Sequence, residues 1–208
     1  MVSIIITCYE DDRQFVYRAI ESCKKQNVEH EIIIVDGGSE IPYDLFSPDI
    51  YIYTKENIMQ GGAMNLGIKN AKYDLILPLD ADDMLYPNIL EWMVSESDGV
   101  DVIYGNITNV YNGDVLKPMN PTRENALVCN PIFWTSLLRK SACEFVGGFE
   151  RVIYQDYKMW CKMIMFGCKF KYINKTIYNH QIRKGSITDR ERERIEELNE
   201  EARKPLYG

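Results

Sequence analysis

The chain has 208 residues, 46% hydrophobic and 26% charged, with a formal net charge of −7. That is enough for one domain with a core, and the acidic balance removes the electrostatic case for a nucleic-acid partner. No run of 18 apolar residues occurs, so no transmembrane segment is expected, and the opening MVSIIITCYEDD lacks the basic leader of a signal peptide. Cys8, Cys23, Cys129, Cys143, Cys161 and Cys168 form no C-x-x-C pair and read as reduced thiols of a cytoplasmic protein.

Val2 to Thr7 and Glu31 to Val35 are continuous, β-rich apolar runs, the pattern of strands covered on both faces. Between them Phe15, Val16, Ala19, Ile20 and Cys23 recur at helical spacing behind the acidic turn Glu10-Asp11-Asp12. This predicts a βαβ unit. Residues 37–49 read as loop, Ile50 to Tyr53 as a third strand, and Gly61-Gly62 as the opening of a helix. Asp74 to Leu79 reads as a fourth strand, followed by a helix begun at Pro87. Farther on, Val100 to Val110 and Asp114 to Leu116 suggest a hairpin around Asn112-Gly113. Residues 117–131 read as a loop over the site, Trp134 to Leu138 as a strand, and Tyr157 to Phe166 as a helix. Two short strands are expected near 169–173 and 176–180, then a charged helical tail with little apolar face, read as a solvated end cap or else a partner-docking helix. The expected organisation is one domain over 1–208. Residues 1–100 form a ligand-binding α/β half with a mostly parallel sheet, 101–188 a second half, and 189–208 the charged helix.

The sharpest chemical signal is Leu75-Ile76-Leu77-Pro78-Leu79-Asp80-Ala81-Asp82-Asp83, an apolar strand that ends in three carboxylates within four residues. Clustered acids repel one another and resist burial, so a cation eases the site. Mg²⁺ or Mn²⁺ takes oxygen ligands and shares one or two carboxylates with substrate phosphates. Acids at the carboxyl end of a buried strand also stand where open α/β sheets hold ligands. The same run equally suits a solvated turn that caps the helix near Pro87.

VSIIITCYE, IIIVDGGS, GGAMNLGI, LDADD, GGFE and YQDYKMW, in that order, resemble glycosyltransferase family 2 from about Val2 to Thr188. The resemblance implies a GT-A fold: a Rossmann-like three-layer α/β/α with a mostly parallel central sheet and a small antiparallel acceptor-side region. It implies a metal-dependent, inverting transferase that moves a sugar from a nucleotide-sugar donor, UDP-linked here, to a hydroxyl of a carbohydrate or glycolipid acceptor in polysaccharide biosynthesis. Peripheral membrane association is left open.

By the same resemblance Thr7, Tyr9 and Glu10 line the base and ribose pocket, and Asp36 accepts from a base N–H. Asn65 faces the donor, and Asp80 stands by ribose and metal. Asp82 is the direct ligand of Mg²⁺ or Mn²⁺, while Asp83 holds the loop. Asp156 is the general base. Family members usually carry Glu-Asp where this chain has Gln155-Asp156, which reads as altered acceptor preference at Gln155. In YNHQIRKGSIT, Arg183 takes the place of a family histidine as a diphosphate donor, and His180 is a candidate metal ligand through a neutral imidazole. Trp134 is the acceptor-side aromatic, or else core. The alternatives are a catalytically silent nucleotide-sugar-binding domain and a sugar nucleotidyltransferase. The second would favour a basic glycine-rich loop after the first strand, where this chain has CYEDD.

Overall fold

A computed structural model describes residues 1–43, 46–181 and 190–207. Strands β1 (Val2–Cys8), β2 (His30–Asp36), β3 (Ile50–Tyr53) and β4 (Leu75–Asp80) lie parallel in the order β3-β2-β1-β4. The double burial expected of β1 and β2 is what their residues do. Ile4 and Ile6 of β1 and Ile32 and Ile34 of β2 enter one core, with α1 (Arg13–Lys24) and α3 (Ile89–Ser95). Ile5, Ile33 and Val35 enter the other, with α2 (Met59–Asn70), α5 (Lys140–Phe145) and α6 (Gln155–Met165). Successive strand side chains alternate between faces, so a strand apolar at every position must be covered on both.

The sheet continues through β8 (Leu137–Arg139), β6 (Val102–Asn109), β9 (Phe170–His180) and β5 (Met84–Leu85), with β7 (Val115–Leu116) on β6. β4–β8, β8–β6, β6–β7 and β9–β5 pair antiparallel, and β6–β9 parallel. The fold is therefore mixed α/β with a curled central sheet, and the hairpin around Asn112-Gly113 forms as read. Pro78 is tolerated inside β4 because β8 pairs only Leu75 and Ile76, so the missing N–H lies beyond that ladder.

Four elements differ from the sequence reading. The two strands expected at 169–173 and 176–180 are one strand, β9. Its pairing jumps from Gly105↔Ile173 to Asn106↔Thr176, which leaves Asn174 and Lys175 as a bulge. A Cβ at Gly105 would stand 2.7 Å from the Lys175 carbonyl oxygen, so the glycine makes room for that bulge. The strand expected over Trp134 to Leu138 shortens to β8, because Ser136 turns back to the carbonyls of Phe133 and Trp134. Residues 117–131 contain a short helix, α4 (Arg123–Ala126), capped by the Thr122 side chain.

The tail is the largest change. α7 (Ile195–Arg203) and the 3-10 turn after it (Lys204–Tyr207) dock on α6, burying Leu198, Ala202 and Leu206 with Tyr157, Cys161 and Ala126. All six cysteines are free thiols, four of them buried. Among the described residues no helix is long and apolar enough to cross a membrane.

Candidate active site

Parallel register fixes the first part of the site. Thr7 stands opposite both Val35 and Asp80, and Cys8 opposite Asp36, so β1, β2 and β4 deliver Tyr9, Asp36 and Asp80 to one sheet edge. β9 reaches that edge through its pairing with β5, where Met84 stands opposite Asn179. His180 thereby meets the loop after β4, with Nδ1 3.3 Å from an Asp83 carboxylate oxygen.

Asp83 is 1% exposed and accepts the Gln181 N–H at 2.8 Å as well, so it fastens the end of β9 to the acidic loop. Burial pushes its carboxyl above the ordinary range, an effect opposed by His180. The hydrogen bond to Asp83 in turn raises His180 above the usual imidazole value. Nδ1 is committed to that carboxylate, which is how carboxylate-oriented histidines present Nε2 outward. Arg183 lies outside the described residues.

Asp156 sits in the first turn of α6, after Tyr154 in the left-handed region at φ 58° and the turn Gly147-Gly148-Phe149. Its Oδ2 accepts from Asn130 Nδ2 at 2.8 Å. Burial raises its carboxyl above the ordinary value, against the lowering hydrogen bonds from the Tyr157 N–H and Asn130. Asp80 shows that these acids share a region. Its carboxyl is held well above the usual range by burial first, then by Asp83, Asp82, Asp156 and Asp11. Tyr178, buried on β9, is pushed up by burial and then by Asp83, Asp80 and Asp156. A chain of side-chain amides completes the link, since Gln155 donates to Gln60 and Gln60 donates to Asp80.

Several expected positions do something else. Asp36 is fully buried; its Oδ1 accepts from the Gly38 and Ser39 N–H groups and its Oδ2 from the Tyr51 hydroxyl. With its oxygens engaged inside the protein it holds the loop after β2 instead of facing a base. Asn65 is spent on Phe149, accepting its N–H at 2.9 Å and donating to its carbonyl at 2.7 Å. It ties α2 to the Gly147-Gly148 turn and does not open toward a donor. Glu10 accepts the Glu40 N–H and so braces neighbouring loops. Trp134 is 7% exposed and packs edge-on against Phe149 in the core, so no face is left for stacking a sugar. Gln155 is buried against Gln60 and not directed to an open acceptor face. Tyr9, half exposed at the end of β1, keeps its ring available. Gln60 and Asn130 belong to no motif in the sequence; Gln60 directly precedes GGAMNLGI, and Asn130 lies in the 117–131 segment.

Among the described residues no three His, Cys, Asp or Glu side chains form a ready-made metal cage. The donor set nonetheless fits a hard divalent ion. Asp80 and Asp82 are carboxylates in a crowd of like charge, and such an ion takes one or two protein carboxylates and completes its shell with phosphate and water.

Residues 3–164 match the family model described as glycosyl transferase family 2. An uncharacterized glycosyltransferase of Rickettsia felis is 34% identical over 191 residues, covering 79% of this chain and 31% of that protein. The Escherichia coli UDP-Gal:alpha-D-GlcNAc-diphosphoundecaprenol beta-1,3-galactosyltransferase is 26% identical over 207 residues, covering 88% of this chain and 74% of that protein. The chain thus spans about a third of the first curated relatives it matches, 31% and 35% of their lengths. Among solved structures, S. aureus TarS 1-349 in complex with UDP-GlcNAc superposes with TM-score 0.75 at 17% identity, over 89% of this chain and 59% of that one. The mannosyltransferase PcManGT from Pyrobaculum calidifontis, in complex with GDP-Man and Mn²⁺, gives 0.68 at 16% identity, over 89% and 58%. At those identities the structural likeness speaks for the GT-A fold.

Proposed function

The chain belongs to glycosyl transferase family 2, and from that premise we propose that it transfers a sugar from a UDP-linked donor to a hydroxyl of a carbohydrate or glycolipid acceptor, inverting the anomeric carbon. The observation that carries this reading is the convergence of Asp80, Asp82 and Asp156 on one region at the carboxyl edge of the parallel strands. Tyr9 and Thr7 would line the nucleoside, with the Tyr9 ring offering an apolar face and a hydroxyl. Asp82 would hold a divalent cation, Mn²⁺ or Mg²⁺, with Asp80 beside it and His180 Nε2 within the same loop cluster. When bound, that ion supplies positive charge against the leaving diphosphate.

The chain's own contribution to the chemistry is Asp156. Its carboxylate takes the proton of the acceptor hydroxyl while that oxygen bonds to the anomeric carbon. The bond to the diphosphate breaks at the same time, and its electron pair departs with the leaving group. One displacement needs one base and no covalent nucleophile, and desolvation brings Asp156 closer to a useful basicity than a solvated aspartate has. Asn130 keeps the carboxylate aimed and tempers that rise.

The test is nucleoside diphosphate release from a panel of UDP-, GDP- and dTDP-sugars with purified protein and Mn²⁺. Release from a UDP-sugar, stimulated by Mn²⁺, supports the reading. Donor binding with no release from any of them would identify a silent nucleotide-sugar-binding domain.

A further inference from the structure

The Gln155–Gln60–Asp80 chain has a polarity that constrains its members. Gln60 Nε2 donates to Asp80 Oδ1 at 2.5 Å, and Gln155 Nε2 donates to Gln60 Oε1 at 2.6 Å. With Asp80 ionised against a cation, as the donor-site reading requires, its carboxylate only accepts, so Gln60 turns its NH₂ toward Asp80 and its oxygen away. The residue that meets that oxygen must then be a donor. Gln155, 8% exposed, satisfies this, and a glutamate of the same shape would not. The backbone is cut to allow the approach. Gly61 lies so close to the Glu150 carbonyl that a Cβ there would stand 2.0 Å from the oxygen, and that same Cβ would be 3.5 Å from the Gln155 Cβ. Two helices from opposite halves of the chain are thus brought together at the amide pair.

We infer that Gln60 and Gln155 are positioning residues, a one-way donor relay that holds the Asp80 carboxylate in its cation-binding orientation from the first turn of α6. This assigns Gln155 to the donor side, through Asp80, and not to the acceptor. It rests on the proposed donor-site reading of Asp80. Because Gln155 directly precedes Asp156, the relay also sets the first turn of α6 relative to the acidic loop.

The experiment uses the full chain and measures UDP affinity in saturating Mn²⁺ by calorimetry, with donor and acceptor KM alongside. Gln155→Glu presents an acceptor to Gln60 Oε1, so Gln60 either turns its oxygen on Asp80 or withdraws. UDP–Mn²⁺ affinity is expected to fall about tenfold, the size of a charged-group hydrogen bond. The added negative charge by itself would strengthen cation binding, so a loss isolates polarity from net charge. Donor KM should rise while acceptor KM stays unchanged. Adding Gln60→Lys, which can donate to both carboxylates, should restore affinity to within about threefold. If Gln155→Glu does not fold by circular dichroism, Gln60→Met serves, since it removes the donor from Asp80 without adding charge, and the same loss is expected. Affinity equal to or tighter than the parent in whichever variant folds, or a rise in acceptor KM alone, overturns the relay. Absence of UDP–Mn²⁺ binding by the unaltered protein would instead overturn the donor-site reading, and this inference with it.

Discussion

The two sides of the site are held by different means. On the proposed donor side, Asp80 and the loop after β4 are placed by backbone register in a sheet buried on both faces. On the proposed catalytic side, Asp156 is placed by separate side-chain links around α6. Asn130 reaches its carboxylate, Tyr157 bonds the Ala126 carbonyl, and Arg203 of the tail donates to the Tyr157 hydroxyl and the Val128 carbonyl. Arg123 closes the ring by donating to the Leu206 carbonyl. The lesson is that the C-terminal helix belongs to the architecture of the site, since it braces the 117–131 segment that supplies Asn130. A ladder of backbone bonds survives the loss of any one side chain, whereas a network of single links does not.

The largest effect expected from breaking this arrangement is catalytic. Asp156→Asn keeps shape and the contact to Asn130 but cannot take a proton, so turnover should fall ~10²-fold or more with donor affinity nearly unchanged. Steady-state kinetics together with UDP calorimetry reads both, and equal losses in the two would count against the base role. Next is the seam between the sides. Gly61→Ala in an open helix would gain about 1 kcal/mol of stability. Here the new methyl meets the Glu150 carbonyl at 2.0 Å, and the forced separation of α2 from α6 should dominate. A net loss of about 2–3 kcal/mol in urea unfolding is expected.

Arg203→Met should cost less, about 2 kcal/mol, because the aliphatic volume is kept while the bonds to Tyr157 and Val128 are lost. If the tail braces the site, turnover should fall in this variant while donor affinity does not change, since the parallel sheet is untouched. The smallest change is a shift in pH dependence. Asp156 must be ionised to act, and its raised pKa puts the acid limb of turnover above the ordinary carboxylate value of 3.8. The Asn130 bond favours the charged form. Asn130→Ala should therefore move the limb to still higher pH, with activity lost sooner on acidification; a limb that moves down in a pH–rate profile would contradict the assignment.

The contrast also explains what was legible in the sequence. Continuous apolar runs marked the strands β1 to β4, and the acids Asp80 to Asp83 were visible at the end of the last of them. In the tail, Leu198, Ala202 and Leu206 are few apolar residues among many charged ones, so the segment read as solvated, yet these are the residues that dock. Asn174-Lys175 broke the strand pattern and suggested two strands, although the physical cause is a bulge opposite Gly105. Asp36 and Asn65 stand in motif positions yet face inward, because a buried loop and a glycine turn need their oxygens and amide. Motif position gave no sign of that, since the partners are mostly backbone N–H and carbonyl groups, joined at Asp36 by the Tyr51 hydroxyl 15 residues away. Gln60 and Asn130 were invisible for the converse reason: an amide's role depends on what lies across from it, up to 95 residues away in the chain.

The claim on which everything else depends is that the acids after β4 and the carboxylate at the start of α6 face one another across a single donor site. A crystal structure with UDP and Mn²⁺ tests it most directly. The account predicts the diphosphate and ion at Asp82 and Asp80, with Asp156 opposite them across the space for the sugar. Nucleotide bound elsewhere, or Asp156 turned out of the cavity that holds the diphosphate, would contradict it.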